Sequence, residues 1–254
     1  MRSVGLALVG WVSSAAAQTY RPSVLACAVF QEVVTTSIRG ISGSAEVADR
    51  GGRFGLVVLN GRDSSGMIVL EAWYDSVEVW RETGAGREAP ETDGVVGGRF
   101  RGILMPNGTY QPVRAPFIPD DLANVADLAA VMDDFLPRLA PAPLAPGQQW
   151  SDTTGFSIRR IPDADKTQQY RWTATRRRGD QYAATDSLSV TLNQLIQETG
   201  ELSWSPERGP LRWTRQINVS ARIPATGGVK RSIRSTVDQT VTVTRRADLT
   251  SHCG

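Results

Sequence analysis

The sequence predicts a mainly β fold: a large curled antiparallel sheet, half-barrel-like and divisible into two similar halves, with one principal amphipathic helix at about 120–135. Three observations predict it. Runs rich in Val, Ile, Thr and aromatic residues, several with a period of two, recur along the chain between Gly, Pro and Asn turns. One segment alone carries a long apolar stripe at helical spacing. The 254 residues are 41% hydrophobic, enough for a sizeable core and too apolar for disorder.

The first 17 residues are expected to be a signal peptide. Arg2 supplies the positive end, residues 4–12 the apolar core and Ala15, Ala16 and Ala17 the small-residue cleavage site, which places cleavage before Gln18. No later stretch approaches the roughly 18 apolar residues a spanning helix needs, so the mature chain is expected to lack a transmembrane segment. Residues 24–27, Val-Leu-Ala-Cys, loosely match a lipidation box, but Gln18, Thr19, Arg21 and Pro22 interrupt the apolar run before it. Lipid anchoring at Cys27 is therefore disfavoured. The only other cysteine, Cys253, lies near the opposite end, and an even count in an exported chain favours a Cys27–Cys253 disulfide.

Residues 28–39 read as the first strand, stopped at Gly40. Residues 53–60 and 67–74 follow as a hairpin around a polar connection, and 75–82 continue in extended form through a bulge. The stretch 84–94, rich in Gly, Pro and acids, is a loop. A second hairpin pairs 98–105 with 109–113 around Asn107-Gly108.

The helix follows. Pro119, Asp120 and Asp121 suit its start, where free N–H groups favour negative charge. Leu122, Val125, Leu128, Ala129, Met132 and Phe135 form the apolar stripe, and Pro137 ends it. Residues 18–137 thus make an N-terminal β half ending in the helix, 138–150 a proline-rich bridge, and 151–254 a C-terminal β half. Leu136, Leu139, Leu144 and Trp150 are too apolar for a free tether, so the bridge is expected to pack along the sheet, Trp150 buried, with the halves sharing one core.

In the second half, residues 157–161, 168–176, 181–197 and 200–204 read as strands. The most regular run is 211–223, where Leu211, Trp213, Ile217, Val219, Ala221 and Ile223 alternate with polar residues. Arg215 alone breaks its apolar set. Residues 229–245 form the last strand, with Val237, Val241 and Val243 inward. A faint echo links Gly102–Gly108 with Gly200–Gly209: glycine, short strand, proline-containing turn, glycine.

Charge implies no particular partner overall, but residues 1–150 hold 12 basic and 16 acidic residues and 151–254 hold 16 and 10. The basic concentration at Arg159, Arg160, Arg171 and Arg176–Arg178, interleaved with Tyr170 and Trp172, reads as a solvated strand end. A nucleic-acid client is not expected of an exported chain.

Catalytic chemistry is sparse. The single histidine, His252, lies at the tail, and one histidine with two distant cysteines makes no zinc set. Asp120-Asp121, Asp133-Asp134 and Asp163 with Asp165 suit helix ends and turns rather than opposed catalytic carboxylates. No phosphate-binding glycine loop is present. No cofactor, metal or catalytic residue is expected, and the chain reads as a nonenzyme. The tryptophans Trp73, Trp80, Trp150, Trp172 and Trp213 are the candidate lining of an apolar ligand site.

The signal peptide, the Pro-Asn-Gly hairpin, the acidic helix ending Phe-Leu-Pro-Arg-Leu at 135–139 and the Pro-Gly-Gln-Gln-Trp-Ser-Asp-Thr run at 146–153 together resemble exported bacterial β-rich proteins of unknown function. More remotely, a large sheet curled over a helix is similar to periplasmic lipoprotein carriers and lipid-binding proteins, whose sheets enclose an apolar cavity. No binding residue transfers. The resemblance implies an exported, periplasmic or envelope-associated, noncatalytic protein that binds a hydrophobic or lipid-like molecule between sheet and helix. The alternative is a structural module with a filled core and an envelope protein partner; a hydrolase ranks third.

Overall fold

The computed structural model describes residues 18–42, 45–185, 188–223 and 233–249. Its elements are α1 (Pro22–Leu25), β1 (Ala28–Ser42), β2 (Ala45–Ser64), β3 (Met67–Thr83), β4 (Gly86–Glu88), β5 (Phe100–Leu104), β6 (Tyr110–Arg114), α2 (Asp120–Val125), β7 (Gln149–Ser151), β8 (Phe156–Ala164), β9 (Thr167–Thr185), β10 (Leu188–Ser205), β11 (Gly209–Ile223) and β12 (Ile233–Arg245). The strands form one antiparallel sheet of twelve, ordered β6-β5-β3-β2-β1-β12-β11-β10-β9-β8-β7, with β4 paired to β3 alone. The chain therefore starts at the middle, meanders out to β6, crosses to the far edge at β7, and meanders back until β12 pairs β1. Residues 115–148, which make the crossing, are the strap.

The sheet is open but strongly curled. Laid flat, ten strand spacings of about 4.8 Å would hold β6 nearly 50 Å from β7. Yet Tyr110 on β6 shares one cavity with Phe156 and Trp172 on β8 and β9. The strap closes this gap on the inner face: Leu139 N–H donates to Asn107 O at 2.7 Å and Tyr20 Oη to Pro137 O at 2.8 Å.

Strand parity assigns the faces. Phe30, Glu32 and Val34 of β1 point inward beside Val243 and Val241 of β12, while Val29 points outward. The inner face carries the main core, which draws Phe30, Tyr74 and Leu104 from the first half, Tyr170, Trp204 and Trp213 from the second, and Leu128 and Phe135 from the strap. A small outer cluster joins Val29, Val58 and Trp73 under Leu249.

Several elements differ in extent from the sequence reading. β2 starts at Ala45, not near 53, because Gly51 and Gly52 are held in register against β1 and β3. Gly52 is required there: any Cβ would stand 2.7 Å from the Trp80 indole. The register shift between Leu56 and Val57 leaves Asp75 as the extra residue that carries β3 through its expected bulge. The helix is regular over Asp120–Val125 only; Ala126 is already extended, at φ −147° and ψ 135°. Asp127 ends it by accepting the Ala130 N–H at 3.4 Å, the local competition that makes aspartate a poor helix interior. Turns then carry the chain on, and Leu122, Leu128, Met132 and Phe135 all remain buried. In the bridge Leu139, Ala140 and Leu144 are buried, whereas Trp150 is half-buried, because β7 is an edge strand with Phe156 on one flank. The signal peptide falls outside the described residues.

Candidate functional site

Two adjoining cavities lie between the inner face and the strap, sharing Arg215 and Asp134. The first, about 400 Å³, is walled by Tyr110, Leu136, Phe156 and Trp172. The second, about 500 Å³, runs from Val34 and Val241 to the strap residues Val125 and Val131, with Arg53 and Arg81 in its lining.

Glycines seat the aromatic walls. A Cβ on Gly102 would lie 2.3 Å from the Tyr110 ring, and one on Gly200 would lie 2.0 Å from the Trp172 indole. Each ring lies across the bare backbone of the neighbouring strand, so neither strand tolerates a side chain there. The two seats are built differently: Tyr110 comes from the strand that follows Gly102, Trp172 from the strand that precedes Gly200.

Two buried ion pairs stand on the inner face, and they are built alike. Glu32 on β1 accepts from Arg53 Nε at 2.7 Å, Arg53 Nη2 at 2.8 Å and Tyr74 Oη at 2.9 Å. Glu198 on β10 accepts from Arg215 Nε at 2.9 Å, Arg215 Nη2 at 3.1 Å and Trp172 Nε1 at 2.9 Å. In each half the carboxylate sits on one strand, its arginine on a neighbour and its aromatic donor on the other side for Glu198 or one strand beyond for Glu32. Such forked charge-assisted bonds are strong and satisfy both buried charges. Burial alone would weaken the Arg53 cation, but Glu32 and the Tyr74 and Asp127 oxygens hold it firmly protonated. Burial and the Glu32 charge push the Tyr74 hydroxyl up, keeping it a donor.

Arginines also hold the strap. Arg81, paired with Asp49 at 2.6 Å, donates to Asn124 O at 3.3 Å, and Arg215 donates to Asp134 O. At the mouth of the first cavity burial, then Asp134 and Asp127, push the Asp133 carboxyl upward, and burial with Asp133 pushes Tyr110 up to about 12. Asp152 behaves oppositely. Burial would raise it, but N–H groups of Phe156 and Thr154, the Thr154 hydroxyl and the Arg138 guanidinium hold it low, pinning the strap's end to β8.

The five candidate tryptophans do not converge. Trp172 lines the first cavity. Trp213 is fully buried in the core between Phe30 and Phe135, at 5.3 and 5.6 Å, and its indole N–H has no partner. Trp150 stays at the edge. Trp73 and Trp80 face outward, under the guanidinium groups of Arg99 at 3.4 Å and Arg87 at 5.1 Å. The residues that sequence reasoning missed are Glu32, Arg53, Glu198 and Tyr110. For the charged ones the signal was a charge interrupting an inward series, which Arg215 displayed and Glu32 shares; Tyr110 carried no such signal. No group of three metal-binding side chains occurs among the described residues. Cys27 sits in a turn at φ 51° and is not a free thiol; Cys253 lies outside the described residues.

Neither a protein-family model nor a curated protein sequence matches the chain. Among solved structures it is similar to the lipovitellin structure that describes lipid–protein interactions, at 8% identity and a TM-score of 0.51. That match covers 87% of this chain and 25% of lipovitellin, so the chain spans about a quarter of that protein's length. A putative exported protein with a YmcC-like fold from Bacteroides fragilis aligns over 82% of this chain and 93% of its own at 10% identity, with a TM-score of only 0.20. The likeness to lipovitellin is one of fold: a large open antiparallel sheet.

Proposed function

We propose that this is an exported, noncatalytic envelope protein that holds an apolar or lipid-like ligand in the chamber between the inner face and the strap. The observation that carries the reading is the paired cavity, about 400 and 500 Å³, a size suited to small-molecule ligands. Its walls mix aromatic and aliphatic side chains with charged ones, among them Asp133 and Arg176 in the first cavity and Arg50 and Asp127 in the second, while the deeply buried charges of Glu32 and Arg53 and of Glu198 and Arg215 are paired with each other. That polarity favours an amphipathic ligand whose apolar body lies along Trp172, Leu136 and Val241. The fold shared with a lipid-interacting protein supports the same reading. Glu32 and Glu198 spend their oxygens on arginine and aromatic donors, which favours structural over catalytic roles for them.

The Phe30–Trp213–Phe135 stack fills the centre of the core and favours a second reading, a packed interaction module. Native mass spectrometry of the mature protein, with solvent extraction, separates the two. A copurifying apolar molecule, released by Leu136→Trp, is expected. A ligand-free mass together with no binding of a fluorescent fatty acid refutes the chamber.

A further inference from the structure

Beyond the strap the long strands carry the sheet on, and its outer face there bears a cluster of arginines with Glu46 at its margin. Arg222 on β11 and Arg234 on β12 are direct cross-strand partners on that face. Directly opposed like charges in an antiparallel pair are destabilising, since their Cβ atoms stand only about 5 Å apart. Arg177 on β9 lies one row further in, and Arg39 on β1 completes the patch. Arg39 meets Asp238 at 3.3 Å in the open. Among the described residues no carboxylate reaches Arg177, Arg222 or Arg234, while most arginines of the inner face are paired. A depression of about 390 Å³ lies between Arg177 and Arg222, with Asn193 and Ser220 as neutral donors in its wall. Ile41, 54% exposed, lies between its two cross-strand neighbours, Arg234 of β12 and Glu46 of β2.

We infer that this outer patch docks the protein onto a bilayer surface bearing anionic phosphate headgroups. The repulsion between Arg222 and Arg234 is relieved only when an anion sits against them, and guanidinium forks fit phosphate oxygens. An exposed aliphatic side chain beside arginines is the arrangement of an interfacial contact: the cations meet the headgroups while Ile41 enters the boundary. Among the described residues no aromatic ring stands in the patch to stack a nucleobase. The inference does not depend on a ligand in the chamber.

Vesicle flotation of the mature protein tests it. Phosphatidylcholine vesicles with roughly a third phosphatidylglycerol are expected to bind the protein, and pure phosphatidylcholine to bind it weakly. At about 1 kcal/mol per arginine, Arg222→Gln with Arg234→Gln weakens binding on the order of 25-fold. The charge-matched control, Arg101→Gln with Arg171→Gln, removes two exposed arginines already paired to Glu71 and Glu201 and keeps wild-type binding. Raising salt from about 0.1 to 0.5 M abolishes wild-type binding by screening, a readout that needs no variant. Absence of binding to anionic vesicles, equal binding by the Arg222/Arg234 variant, or displacement by millimolar inorganic phosphate overturns the proposal; the last assigns the patch to a free anion.

Discussion

Replacing Glu198 tests the buried ion pair that joins the sheet to the strap. Glu198→Ala deletes the acceptor for two Arg215 nitrogens and the Trp172 indole, three bonds between 2.9 and 3.1 Å. Arg215, only 8% exposed, then keeps its bond to Asp134 O and a carboxylate at 3.8 Å. Stranding a buried charge costs about 3 to 5 kcal/mol. For a chain of this size that lowers Tm by about 8 to 16 °C. Glu198→Ala combined with Arg215→Met removes both charges, and it is expected within about 2 kcal/mol of wild type, since buried ion pairs are replaceable by apolar side chains. Urea unfolding with matched m values measures all three proteins. A loss below about 1 kcal/mol in the single variant, or a double variant no more stable than the single, refutes the argument that Glu198 neutralises Arg215.

Three further expectations concern other parts of the molecule. Gly200→Ala drives a Cβ into the Trp172 indole and is expected to cost about 1 to 3 kcal/mol with a shift in tryptophan emission, whereas Gly84→Ala, with open space around it, is neutral; equal effects would remove the seating role of Gly200. Asp133→Asn tests the raised carboxyl: the folded chain holds that proton more tightly than the unfolded one, so stability falls as pH rises through and above the ordinary carboxylate range. The variant should therefore be more stable than wild type at pH 7 and equal to it at pH 3, and a gain at pH 3 alone would contradict the sign. Cys27→Ser is expected to lower stability by about 4 to 5 kcal/mol if the loop closed by Cys253 forms, and peptide mapping under nonreducing conditions should recover the Cys27–Cys253 pair.

The alternation in residues 211–223 placed β11 and the inward side of Trp213 and Ile217 correctly, because that part of the strand faces the core and period two then sets its side chains. The hairpins around Asn107-Gly108 and Gly66 were equally legible, their turns resting on positive φ at Gly108 and Gly66. Strand extent was not. Residues 45–52 contain Asp49, Gly51 and Gly52, poor strand formers that are extended only because β1 and β3 flank them. The helical stripe was real as burial but not as helix: an apolar series can be satisfied by successive turns once Asp127 competes for the backbone. Arg215 was visible as an anomaly in an apolar series, yet its partner lay one strand away in space at Glu198, and pairing of that kind is set by register. The tryptophans misled for a related reason, since composition says nothing about which face each ring occupies.

The order of strands has a consequence for how the molecule forms. Going round the sheet, paired strands are close in sequence everywhere except at the central seam, where β1 meets β12 and Gln31 meets Arg246 across 215 residues of chain. Each arm can zip locally, one hairpin after another, but the seam must wait for the last strand. Until then the apolar inner edges of β1 and its neighbours stand open, the state in which unpaired strands aggregate. A chain synthesised from its N-terminus is in that state until β12 is complete. Closure of the seam is then expected to be slow, because so long a loop must be ordered first.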